Sequence, residues 1–177
     1  MKGIKVLLGA LAIMAITQSC SDDFGPSYDP NVQLPIDLAT IDSYITTNNL
    51  TVQIHETDIR YIIHTEGNGK TVALGDVVSV NYELYLLDGT LVQTNVEQIA
   101  INNGFFNPNG ATYEPYDFIA GQGSVILGFD ISTQILTEGG SGTFFIPSVY
   151  AYQNTGTARI PANSNLKFKI ELLEVKK

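Results

Sequence analysis

Residues 77–87 constrain the fold of this chain more than any other segment. Val78, Val80, Tyr82, Leu84 and Leu86 alternate with Ser79, Asn81 and Glu83. A period of two places the apolar set on one face of an extended strand. Asp88-Gly89 follows, a strong hairpin signal because glycine accepts the positive φ that a tight turn needs. Leu91 and Val92 begin the return strand. Near the other end, Leu166, Phe168, Ile170 and Leu172 alternate with Lys167, Lys169 and Glu171, so residues 166–175 read as a second long strand.

Shorter strands are expected at 52–54, 59–65, 116–120 and 142–147. Gly67-Asn68-Gly69 reads as a turn. Residues 125–137 carry a helical pattern stopped by Gly139-Gly140, and residues 37–48 predict a short helix with Ile36, Leu38, Ile41, Tyr44 and Ile45 near one face. Between 95 and 115 the periodicity is lost. Asn102-Asn103-Gly104 and Asn107-Pro108-Asn109-Gly110 mark a long loop there, with Phe105, Phe106 and Tyr113 inside it. Several antiparallel strands with one helix inserted late define an α+β domain, the helix packed on one face of a curved sheet.

The N-terminus reads as an address. Lys2 and Lys5 precede an apolar stretch at 6–16 that is too short to span a bilayer, which takes about 20 helical residues. Thr17-Gln18-Ser19-Cys20 then fits a bacterial lipoprotein signal, with Cys20 lipidated after cleavage at 1–19. The alternative is an ordinary secretory signal with a chance cysteine. Asp22-Asp23 is either a surface-export signal of an outer-membrane lipoprotein or a solvated charge pair. Residues 20–36, holding Pro26, Pro30 and Pro35, read as an extended tether, followed by a helix and strand extension at 37–58 and a folded domain at 59–177. A single cysteine excludes an intramolecular disulfide, so stability rests on a core, and 44% hydrophobic residues suffice for one. The net charge of −9 repels nucleic acid and anionic headgroups, leaving the lipid as the expected membrane attachment. No heptad pattern points to a coiled-coil dimer, and a monomer is expected.

Most catalytic chemistries lack their residues. His55 and His64 have no carboxylate or thiolate at metal-ligand spacing, so no metal is expected. Gly69-Lys70-Thr71 lacks the glycine that a phosphate loop requires five residues earlier; His64 stands there. Ser124 and Ser148 have no nucleophile elbow around them. What remains is aromatic. Residues 121–129 open the helix with an apolar corner, and Gly142 to Tyr152 runs from a strand into a tyrosine-rich loop. That pattern points to an apolar pocket, although any half-buried sheet would also place Tyr82, Phe118 and Phe168 in its core.

These pieces, in this order, resemble the FKBP-type peptidyl-prolyl isomerases. Gly67-Asn68-Gly69 is similar to the family's first turn. Val80-Asn81-Tyr82 is similar to the strand carrying its first pocket tyrosine. Asp88-Gly89 matches the hairpin, residues 121–129 the entry to the helix, and Tyr150-Ala151-Tyr152 with Ile160-Pro161 and 166–173 the late loop and closing strand. The resemblance covers 59–175. It implies a half-barrel of antiparallel strands around one short helix, no cofactor, and proline-containing polypeptides as clients. Carried over by position, Tyr82, Phe129, Tyr152 and Phe168 are the catalytic wall, while Tyr116, Val125, Ile126 and Ile160 bind substrate; Phe118 stays in the core. Val92 and Gln93 stand where the family usually carries Phe and Asp. Thr157 and Ala158 lie near where a His is often found.

The implied reaction suits such a pocket. Rotation about a peptide bond faces a barrier of about 18–20 kcal/mol set by amide resonance. At X–Pro the two ground states are close in energy, so only the barrier needs lowering. The twisted amide has lost resonance and is less polar across C–N, so an aromatic wall favours it over the planar forms. The expected role is therefore an exported, lipid-anchored isomerase of the cell envelope. The competing roles are a chaperone or binding module of the same fold, and a structural component of an envelope machine.

Overall fold

The computed structural model describes residues 27–110 and 113–177. The proposed signal segment, Cys20 and Asp22-Asp23 lie outside them. Seven strands form one open antiparallel sheet. They are β1 (Gln53–Ile54), β2 (Arg60–Thr65), β3 (Val77–Leu86), β4 (Leu91–Thr94), β5 (Tyr116–Ile119), β6 (Ser141–Ile146) and β7 (Leu166–Lys176). The order across the sheet is β1-β2-β6-β7-β3-β4, with β5 also on β3. The helices are α1 (Pro30–Thr47), α2 (Glu97–Asn102) and α3 (Leu127–Ile135), with a 3-10 turn at Ser148–Tyr150.

The two strands with the clearest alternation, β3 and β7, pair along their whole length, from Val77 opposite Lys176 to Leu86 opposite Leu166. The free edge of β3 is then divided. Val77 to Val80 pair with β5, and Glu83 to Tyr85 pair with β4. Buried Asn95 fills the step between them. Its side-chain oxygen accepts from the Tyr82 N–H at 2.7 Å, and its amide donates to the carbonyls of Val80 and Glu114 at 2.9 Å each. A side-chain amide thus takes the place of a strand partner beside Tyr82.

Strand β6 is buried on both faces, which explains why Phe144, Phe145 and Ile146 follow one another without alternation. Phe144 and Ile146 join the main core with Val80, Leu84, Phe129 and Phe168. Phe145 points the other way, into a second cluster with Ile41 and Ile45 of α1. On the first face α3 lies close to the sheet at Gly128. A Cβ built there would stand 2.2 Å from the Cγ2 of fully buried Ile146. Only glycine permits that approach.

Helix α1 starts seven residues before the sequence-based boundary, so residues 30–36 are helical and not part of an extended tether. Asp29 caps it, its carboxylate accepting the Asn31 N–H at 2.8 Å, and Pro30 holds the first helical position, where a missing N–H costs nothing. Pro35 lies inside the helix, on its exposed side. The buried stripe is Asp37, Ile41 and Ile45, whereas Ile36 is 55% exposed. Helix α2 is a further correction. It occupies part of the expected long loop, with buried Ala100 anchoring it. Helix α3 is shorter than expected at both ends.

Gly128→Ala should lower stability. The overpacking penalty of about 1–3 kcal/mol outweighs the gain of about 1 kcal/mol that alanine brings to a helix interior. Urea unfolding should show a lower midpoint at unchanged slope; a higher midpoint would mean that α3 is free to shift away from β6.

Candidate active site

A cavity of about 460 Å³ opens between α3, β3 and the segment that precedes α3. Phe129, on the first turn of α3, and Phe168, on β7, are both almost fully buried, and their ring centroids lie 5.0 Å apart. Tyr82 meets Phe129 edge-on at 5.6 Å and 78°, an arrangement aromatic quadrupoles favour. Tyr116 stands edge-on to Tyr82 at 6.2 Å and is 39% exposed, which puts it at the rim. Val125, Ile126 and Tyr152 complete the wall on the helix side.

Seven of the eight residues assigned to the site from sequence therefore line one cavity. Ile160 does not. It is buried in the main core with Phe129 and Phe168 and does not reach the cavity. Three lining residues escaped the sequence reading, Leu84, Gly123 and Ser124, while Gln93 lines the cavity at the position where the resemblance implies a pocket Asp. Leu84 and Gln93 are direct cross-strand partners, so the alternation that put Tyr82 and Leu84 on one face also carried Gln93 there. Val92, its neighbour, is buried in the core instead.

The supports of the wall come from distant parts of the chain. Asp130, buried in α3, accepts the Gly121 N–H at 2.7 Å and the Gln134 side-chain amide at 2.9 Å, tying the approach segment to the helix. Its place in the first turn also suits the helix dipole. The 3-10 turn before Tyr152 is held by α1. Buried Asp37 accepts from the Ser148 hydroxyl at 2.6 Å, the Val149 N–H at 3.3 Å and the Gln33 amide at 2.7 Å. Asn165 joins them, accepting the Ser148 N–H at 3.1 Å and donating to the Asp37 carbonyl at 3.3 Å. The N-terminal helix is thus part of the scaffold that places Tyr152. His55 and His64 bond to Thr57 and Thr143, away from the cavity.

Tyrosine is the only titratable type among the lining residues. Burial pushes the Tyr82 hydroxyl up to about 12, helped by Tyr116 and Tyr152 and opposed by Gln93. Burial also raises Tyr152. Both stay protonated donors at neutral pH. Because the folded state resists tyrosinate, the stability they contribute is complete below about pH 10 and falls as pH rises toward 12.

An open antiparallel sheet wrapped on a short helix, with an uncharged aromatic cavity between them, defines a pocket for an apolar group and not a hydrolytic centre. A family model described as FKBP-type peptidyl-prolyl cis-trans isomerase matches residues 68–173. The chain belongs to that family. It is 32% identical over 126 residues to the FKBP-type peptidyl-prolyl cis-trans isomerase FkpA of Aeromonas hydrophila, covering 71% of this chain and 41% of that one. It is 31% identical over 113 residues to FK506-binding protein 1 of Aspergillus oryzae, covering 64% of this chain and 94% of that one. Among solved structures, FkpA from Escherichia coli superposes with a TM-score of 0.62 at 27% identity, covering 82% of this chain and 62% of that one. The chain spans less than half the length of the bacterial curated relatives it matches.

With no acid or base in the lining, any X–Pro exchange catalysed in this cavity, measured on an uncharged peptide, should be flat from about pH 5 to 9 and fall only as tyrosines ionise. A bell-shaped profile centred near neutrality would show that a carboxylate or imidazole takes part.

Proposed function

We propose that this protein catalyses cis/trans exchange at X–Pro bonds of exported polypeptides, in the cavity floored by Phe129. The observation that carries this reading is the uncharged aromatic wall of Tyr82, Phe129 and Phe168. The proline ring enters the cavity and buries apolar surface on that wall, a gain of about 25 cal/mol per Å². No bond breaks between heavy atoms, so no nucleophile is needed. The wall favours the twisted amide, whose C–N bond has lost its double-bond character.

Two donors hold the substrate carbonyls in this mechanism. One is the Tyr152 hydroxyl, kept protonated by burial. The other is the Ile126 N–H at the start of α3, which bonds to no described residue. Tyr116, Val125 and Ile126 bind the flanking chain. Gln93 offers a neutral amide where the resemblance implies a carboxylate, so polar contact there is made without charge.

The wider setting is proposed from sequence alone. Residues 1–19 act as an export signal, Cys20 carries a lipid, and a monomer acts on proline-containing clients at the outer membrane. The other reading, a binding module with weak turnover, is favoured by one observation: the insert at 97–113 builds a further cavity beside the first.

A protease-free exchange assay on a short X–Pro peptide decides between them. The native protein should accelerate exchange. Tyr152→Phe should cost about tenfold through one lost hydrogen bond, and Phe129→Ala more. Folded protein that binds the peptide without accelerating exchange would establish the binding module.

A further inference from the structure

The insert after β4 does not hang free. Helix α2 docks through Ala100, and the Phe105 N–H returns to the Ala100 carbonyl at 2.8 Å. The Arg159 guanidinium then covers the Phe105 ring, its Cζ 5.1 Å from the centroid, and donates to the Val92 carbonyl at 3.3 Å. These residues, with Thr94, enclose a second cavity of about 370 Å³. Gln93 lines both this cavity and the aromatic one, so the two lie side by side.

The charge of the second cavity is unusual for this chain. Its lining holds Arg159 and no carboxylate. Net charge is −9, and the other described cations are nearly all neutralised locally. Arg60, Lys70, Lys169, Lys176 and Lys177 have acidic partners, and Lys167 lies over the rings of Tyr44 and Tyr85. Among the described residues Arg159 makes no ion pair. A planar guanidinium with one donor committed and the others open fits a carboxylate.

We propose that this cavity is a second subsite, occupied by an acidic side chain of the client within two residues of the proline held in the first, with Arg159 as the specificity-determining residue. It rests on the isomerase reading for the adjacent pocket. The occupant belongs to the client because the subsite adjoins the prolyl cavity across Gln93, within reach of a chain whose proline sits there. Arg159 is solvent-exposed, so the pairing is screened and selects modestly.

The test is a set of X–Pro peptides carrying Glu, Gln or Lys, one at a time, at the two positions on either side of the proline. Exchange is measured as kcat/KM at low and high salt with the native protein, Arg159→Gln and Arg159→Lys. At one position Glu should exceed Gln by about two- to fivefold at low salt, with Lys below Gln. That ratio should fall to one at high salt and in Arg159→Gln, and survive in part in Arg159→Lys. No preference for Glu at any position, or a preference that persists in folded Arg159→Gln, overturns the proposal. Should Arg159→Gln misfold, the salt series and Arg159→Lys decide the same question. If the Gln peptides are not accelerated at all, the isomerase reading fails separately. Anisotropy titration of the same peptides then reads the subsite, through the same ratio in affinity.

Discussion

The close approach of Gly128 to Ile146 sets the geometry on which the pocket depends. With a side chain at that position, α3 could not lie against β6, and Phe129, the next residue, would not reach Phe168 and Tyr82. The sheet that receives the helix is itself held rigid from behind. Phe145 on the same strand packs into the cluster with Ile41 and Ile45, so β6 is fixed from both faces. A dense apolar interior of this kind transmits displacement instead of absorbing it. The cavity is therefore set by packing at a strand with no lining residue of its own.

Polar groups are used in the same structure as fasteners. Asn95 bridges the step between β4 and β5 next to Tyr82. Asp130 ties the approach segment to α3. Asp37 ties α1 to the turn before Tyr152. Each is buried and has its bonds satisfied, and each acts behind the wall and not in it. The division has a physical reason. In the mechanism we propose, a twisted amide is favoured by an environment less polar than water, and charge within the wall would favour the planar form instead.

The sequence made the sheet legible because the two strands at its centre, β3 and β7, alternate cleanly and keep one face buried. The alternation put Tyr82 and Phe168 on a buried face, but their place in a pocket, like that of Phe129, came from the family resemblance carried over by position. The misreadings have local causes. Pro30 and Pro35 look like tether residues until Asp29 is seen as a cap, since proline at the first helical position is favoured and not disruptive. Helix α2 has only six residues, too few to show a period. Ile160 and Leu84 are both apolar residues near the pocket in sequence terms, and only tertiary packing decides that Leu84 faces it while Ile160 is buried behind. The union of Phe105 with Arg159 joins segments far apart in the chain, and no short-range pattern announces it.

The most direct test of the pocket is to map where a proline lands. A short X–Pro peptide with labelled proline, bound to the protein, should show intermolecular NMR contacts from the proline ring to Phe129, Tyr82 and Phe168, and from the flanking chain to Tyr152. Contacts confined to the insert at 97–113, or to the exposed groove of α1 around Ile36, would contradict a prolyl pocket floored by Phe129.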